Sequence, residues 1–308
     1  MNTQSSALPE SFDSQGAAPA VISPVRRMYW SVRRELWENR SIYIAPLAAA
    51  AALLVAFLIG MFALPQHRMR TVLALDPAKQ RAAIELPYDI AAGLIMGIAF
   101  LVGLLYCLEA LHGERRDRSI LFWKSLPVSD LTTVLSKASI PFALPLLAFA
   151  ITIVTQAIML LLSSAALLGS GLSVATVWTQ VSLFQRSLML FYHLLTVHVL
   201  WYAPIYGWLL LVSAWARRAP FLWAALPPLA IFAVEKIAFN TSHFAAWVQY
   251  RLSGPEAFTF TMPGMPMNML SSLDPGKFLS TPGLWIGLGV AAAFLAGAVR
   301  LRRYRGPI

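Results

Sequence analysis

The sequence predicts an all-α, polytopic membrane protein with six transmembrane helices, and three observations carry that expectation. Hydrophobic residues fill 58% of the 308 positions, against roughly 45–50% in soluble domains. Charged residues make up only 12%, about half the usual share, so a soluble fold could not cover its apolar side chains. The apolar residues also gather into six runs near the ~20 residues that cross a bilayer, at 42–64, 88–111, 138–162, 187–213, 220–239 and 282–299. The same figures exclude a disordered chain, a collagen or a disulfide scaffold, and the single cysteine, Cys107, lies inside an apolar run.

Residues 1–24 are rich in Ser, Ala and Pro and read as a disordered cytoplasmic tail. They lack the charged start, apolar stretch and cleavage site of a signal peptide. Residues 25–40, VRRMYWSVRRELWENR, follow with Val25, Met28, Tyr29, Val32 and Leu36 at helical spacing. Arg26, Arg27, Arg33, Arg34 and Arg40 occupy other faces, and Trp30 and Trp37 suit the lipid interface. This predicts an amphipathic helix along the cytoplasmic leaflet, ahead of the first span. The stretch between Lys137 and Arg186 carries no charge and is long enough for two crossings. Gly169 and Gly171 instead end the third span there. The sixth span begins at Pro282 and runs into a basic tail, 300–308.

The formal charge of +10 comes from 24 basic and 14 acidic residues. The arginines flank apolar runs, which is how a membrane protein is oriented and not how a nucleic-acid surface is built. With the N-terminus inside, sixteen basic residues fall on cytoplasmic segments and six on external loops. Both termini are therefore expected in the cytoplasm, in a cell (inner) membrane.

The loop between the second and third spans is unusually dense. GERRDRS, with Glu114, Arg115, Arg116, Asp117 and Arg118, precedes the apolar ILFW, with Phe122 and Trp123, and a break at Pro127. A simple turn needs neither the charge nor the aromatics. The pattern fits a protein contact, with aromatic anchors inside a charged rim.

ERRDRSILFWKSLPVSD in this position resembles the membrane subunits of ABC-2 type ATP-binding cassette exporters. RREL…NR at 33–40 is similar to that family's N-terminal interfacial helix. The resemblance implies that 113–130 is a coupling helix docking on a separate nucleotide-binding subunit, and that 25–308 is one six-span permease domain. It further implies a partly re-entrant external hairpin between spans five and six, and a homodimer carrying two ATPase subunits. The chain has no GxxxxGK[ST] phosphate loop, so this subunit is not expected to be an enzyme. ATP and Mg are expected on the partner, with no cofactor on this chain. The alternative is a non-transporting membrane anchor or sensor that recruits a cytoplasmic ATPase.

Other chemistry is sparse. Glu235 and Lys236 lie inside the fifth span, where ionisable side chains mark substrate paths by default; being adjacent, they sit about 100° apart and do not face each other. His193 and His198 are five apart, a spacing that an α-helix does not bring to one face. No zinc motif accompanies them. Ser170 and Ser173 suggest a nucleophile only loosely, without a placed base. Met262, Met265, Met267 and Met269 read as gap-filling in an apolar hairpin, with Cu(I) binding the other reading. Gly93–Gly97 and Gly283–Gly287 each form a GxxxG pair suited to close helix approach.

Overall fold

Three of the predicted spans continue well past their apolar cores. The computed structural model describes residues 23–63, 75–125, 128–168, 178, 181–253 and 275–308, and every regular element among them is helical. Helix α1 (Pro24–Glu38) is capped by Ser23, whose hydroxyl accepts from the Arg26 N–H at 3.3 Å. Helix α2 (Ser41–Ala63) follows almost at once. Helix α3 (Pro77–Glu109) begins eleven residues before the apolar run, because Pro77 at its first turn and the Arg81–Glu85 pair (2.9 Å) extend it with a polar segment. Two short helices, α4 (His112–Arg116) and α5 (Ser119–Ser125), lead into α6 (Asp130–Leu168). At 39 residues α6 is roughly 58 Å long. Ser129 caps its start by accepting from the Thr132 N–H at 3.1 Å. One unbroken helix thus occupies the charge-free stretch up to Leu168; Ser170 and Ser173 lie outside the described residues.

The fourth run is divided. Helix α7 (Leu183–His193) passes into a π-helical segment, Leu194–Trp201, and then bends by 44° into α8 (Ala203–Trp215). Helix α9 (Pro220–Val234) likewise ends in a π-helical turn, Glu235–Phe239. Between it and the last long helix stand α10 (His243–Ser253) and α11 (Pro275–Ser280); the Met262–Met269 cluster lies outside the described residues. Helix α12 (Pro282–Tyr304) closes the chain. Five helices are long and apolar enough to cross a membrane, six if the bent pair is one crossing, which is the architecture of a multi-pass membrane protein.

The main core lies where α2, α3, α6 and α8 meet, around Ile42, Ile95, Cys107, Ile140, Leu144 and Leu210. Helix α9 leans on α8, where the Trp208 indole N–H donates to Ala224 O at 3.1 Å, and has no buried residue. One glycine at the α8–α12 crossing sets how closely those helices approach. A Cβ on Gly207 would lie 3.2 Å from the Ala291 carbonyl oxygen and 3.3 Å from the Phe294 Cβ. Gly93 and Gly97, by contrast, have nothing within 4 Å. Gly207→Ala is expected to lower stability by about 1–3 kcal/mol through overpacking. Gly93→Ala is expected to be neutral or stabilising by up to about 1 kcal/mol. Thermal unfolding of both variants in detergent checks the pair; equal shifts would remove the α8–α12 account.

Candidate coupling site at the basic end of the bundle

The charged loop folds as a helical hairpin that is fixed at its base. Helix α4 starts with backbone N–H groups that have no partner within the helix. Ser213, fully buried on α8, takes two of the neighbouring donors: its Oγ accepts from the Leu111 and His112 N–H at 3.0 and 2.9 Å. Between α4 and α5 the chain turns at Arg118, whose φ of 59° places a non-glycine residue in the left-handed region. The charged loop therefore holds two short helices, not one.

Its charges divide into two sets. Glu114 and Arg115 are buried, so they form no exposed rim; the expectation for these two is corrected, because each finds partners far along the chain. Glu114 pairs with Arg302 on α12, with Lys137 on α6 at 3.1 Å and with Arg34 on α1 at 3.5 Å. Lys137 also holds Glu35, donating to both its oxygens at 2.9 and 3.0 Å. Glu35 is wholly buried and further accepts from Arg34 at 2.6 Å and from the Tyr106 hydroxyl at 2.8 Å. Arg302 reaches Asp130 at 3.2 Å. Three carboxylates (Glu35, Glu114, Asp130) thus face three cations (Arg34, Lys137, Arg302) in a cluster that ties α1, α4, α6 and α12 together, and the more exposed Glu38 adds a fourth carboxylate against Arg34 at 3.6 Å. Such a cluster is tolerable in a dry setting only because each charge has close partners.

Burial alone would raise the Glu35 carboxyl above its ordinary 4.5, but Lys137 and Arg34 together hold it below that value. Glu38, one turn further along, is pushed up by burial despite Arg34 nearby.

Arg115 works as a carbonyl clamp. Its guanidinium donates to Ala214 O at 2.8 Å, Ala216 O at 3.1 Å and Gly306 O at 3.3 Å, while its own carbonyl accepts from the Ile308 N–H at 3.2 Å. Lys124 adds contacts to the carbonyls of Arg305 and Arg303 at 3.3 and 3.5 Å. The basic tail therefore folds against the hairpin.

The second set faces outward. Arg116 pairs with Glu109 at 2.7 Å and with exposed Asp117 at 3.0 Å. Phe122 is 59% exposed, beside an equally exposed Leu121. Trp123 is half-buried; it meets the Phe122 ring edge-on at 4.9 Å and carries the Arg34 guanidinium 3.8 Å above its own ring. An apolar knob on a charged, anchored base is what this arrangement offers.

Helix α1 is placed differently from what its apolar stripe predicts. Val32 and Leu36 pack on the main core, beside Glu35. The exposed face instead carries Tyr29, Trp30 and Trp37, with Arg33 lying over both indoles at 5.1 and 4.4 Å.

The remaining candidates lie elsewhere. Glu235 turns to the start of α10, accepting from Thr241 Oγ1 (2.9 Å) and from the His243 and Phe244 N–H (2.5 and 2.8 Å), so it caps that helix. Lys236 is exposed, and the two are not brought together. His193 and His198 do meet, with ring centroids 5.6 Å apart, since a π-helical repeat returns residues five apart to one side. Among the described residues no group of three or more His, Cys, Asp or Glu could hold a metal ion.

No family model matches the sequence, and neither a curated protein nor a solved structure is significantly similar to it.

Proposed function

We propose that the chain is the membrane-spanning permease subunit of an ABC-2 type exporter, with both termini in the cytoplasm and a separate ATPase docked on residues 113–130. The observation that carries this reading is the hairpin itself. It offers exposed Leu121 and Phe122 outward, while Glu114 and Arg115 root it in four helices and the tail. A contact that only had to bind could hang from a flexible loop. One that has to move helices needs a stiff connection to them, and the ion-pair cluster around Glu35, Glu114 and Lys137 supplies it. The segments that pack at this end carry the sixteen basic residues of the positive bias, which favours the cytoplasmic side for it. Helix α9 touches α8 through Ala224 and Trp223 but has no buried residue, which leaves its other faces for lipid or for a second copy in a homodimer. Glu235 and Lys236 are not assigned to a substrate path in this reading.

The test is reconstitution with a Walker-motif ATPase that co-purifies with the chain. The expected result is a complex of two permease and two ATPase subunits that moves substrate across vesicles only when ATP is hydrolysed. A complex that forms and hydrolyses ATP but moves nothing would favour the anchor or sensor role. No ATPase association, or a C-terminal reporter at Arg305 found outside, would overturn the proposal.

A further inference from the structure

The basic end of the bundle pairs its buried charges; the opposite end holds a buried cation without a carboxylate partner among the described residues. Arg251 on α10 is 4% exposed, and among the described residues no carboxylate lies within ion-pairing distance of it. Its guanidinium donates to Gly283 O at 2.7 Å and Trp201 O at 3.4 Å, lies 4.3 Å above the Trp201 ring, and leaves Nε buried without a partner. Trp201 answers by donating its indole N–H to Arg251 O at 2.9 Å, and the Tyr202 hydroxyl donates to Leu252 O at 2.9 Å. The seat is Gly287 of α12: a Cβ there would stand 2.8 Å from the Arg251 Cζ and Nη1. Gly287 therefore serves an arginine, not a helix crossing.

Two elements meet at this residue. Trp201 ends the π-helical segment immediately before the 44° bend, and Gly283 and Gly287 form the first turns of α12. Arg251 joins both to α10. The geometry is good, but among the described residues the cation is held by carbonyls and indole faces and lacks the carboxylate partner that makes burial favourable.

We propose that Arg251 is a latch that holds α10 down on the Trp201 bend and the start of α12, and that its unpaired charge keeps the latch ready to open. In the open form the guanidinium regains water, the layer of Val197, Trp201, Phe278 and Leu284 loses its cover, and this end of the bundle becomes accessible. Within the exporter reading, on which its use in transport rests, the latch is the outward closure. The latch itself requires no ATPase.

The experiment uses the full chain in liposomes without nucleotide, with Cys107 replaced by Ala and Leu284→Cys as reporter, Leu284 being 1% exposed. A membrane-impermeant maleimide should label the reporter slowly while Arg251 is present. Arg251→Gln should speed labelling about 10- to 100-fold, the loss expected from hydrogen bonds to a charged donor. Arg251→Lys should behave like Gln, because a point charge cannot reproduce the fork and the stack. Gly287→Ala keeps Arg251 but fills its seat, so it should give the same increase and guards against a Gln variant that fails to fold. Unchanged labelling in Arg251→Gln and Gly287→Ala would overturn the latch. Faster labelling in both variants, together with a wild-type rate that ATP and a bound ATPase never alter, would keep the latch and reject the exporter reading.

Discussion

Lys137→Met is expected to be the most destabilising single substitution in the basic end, at about 3–5 kcal/mol, because it leaves a buried charge uncompensated. Lys137 is 3% exposed and pairs with both Glu35 and Glu114, as the more exposed Arg34 also does. Without it the cluster carries a net negative charge, with Glu35 supported by Arg34 and Tyr106 and Glu114 by Arg302. Arg116→Ala, which removes an exposed partner of Glu109, should cost no more than about 1 kcal/mol. The double variant Lys137→Met with Glu35→Met should recover much of the loss, since an apolar pair in place of a buried ion pair is often neutral or better. The pH dependence follows from the direction of the Glu35 shift. Its folded value lies below the ordinary 4.5, so its stabilising share is present above about that pH and is lost as pH falls through the folded value. Glu35→Gln should flatten that acid limb. Unfolding midpoints in detergent across pH 3–7 measure all of this (roughly the range where carboxylates titrate). A Lys137→Met loss below about 1 kcal/mol, or an acid limb unchanged by Glu35→Gln, would remove the cluster from any structural role.

How much of this was legible in the sequence depends on how far apart the partners stand. The spans were legible because crossing a bilayer needs a local run of apolar residues, and that run is visible wherever it begins. Their ends were not, because polar turns such as Arg81–Glu85 and a Ser129 cap extend a helix past its apolar part. The π-helical segment left no mark at all, and the spacing of His193 and His198 excluded a shared face only under an α-helical repeat. In the charged loop, aromatics beside dense charge predict an anchor with an exposed rim, and nothing local marks Glu114 and Arg115 as buried. Glu114 and Arg302 are 188 residues apart, and Glu35 and Lys137 are 102 apart. Matching partners over such separations is a property of the fold. One local hint existed, in that Glu35 interrupts the apolar stripe of α1 between Val32 and Leu36. Its partner could not be named from the stripe.

Phe122→Ala is expected to weaken association with the ATPase by roughly 30- to 1000-fold, the range that corresponds to truncating an aromatic anchor worth about 2–4 kcal/mol. The residue is 59% exposed and its ring meets Trp123 edge-on, so the isolated chain should lose little stability. That separation makes it the sharpest probe of the coupling role. Trp123→Ala is less clean, because it also removes the ring beneath Arg34, a contact worth about 0.5–2 kcal/mol, and should lower both affinity and unfolding midpoint. The arginines divide in the same way. Arg116→Glu reverses an exposed charge and should weaken docking in a manner that fades with added salt. Arg115→Glu would instead break the clamp on Ala214 and Ala216 and says nothing about docking. ATPase co-purification and ATP hydrolysis, compared between wild type and variants at matched expression, decide the matter. If Phe122→Ala and Arg116→Glu leave both unchanged while the chain remains folded, residues 113–130 do not contact the ATPase, and the hairpin serves only to brace α1, α6 and α12.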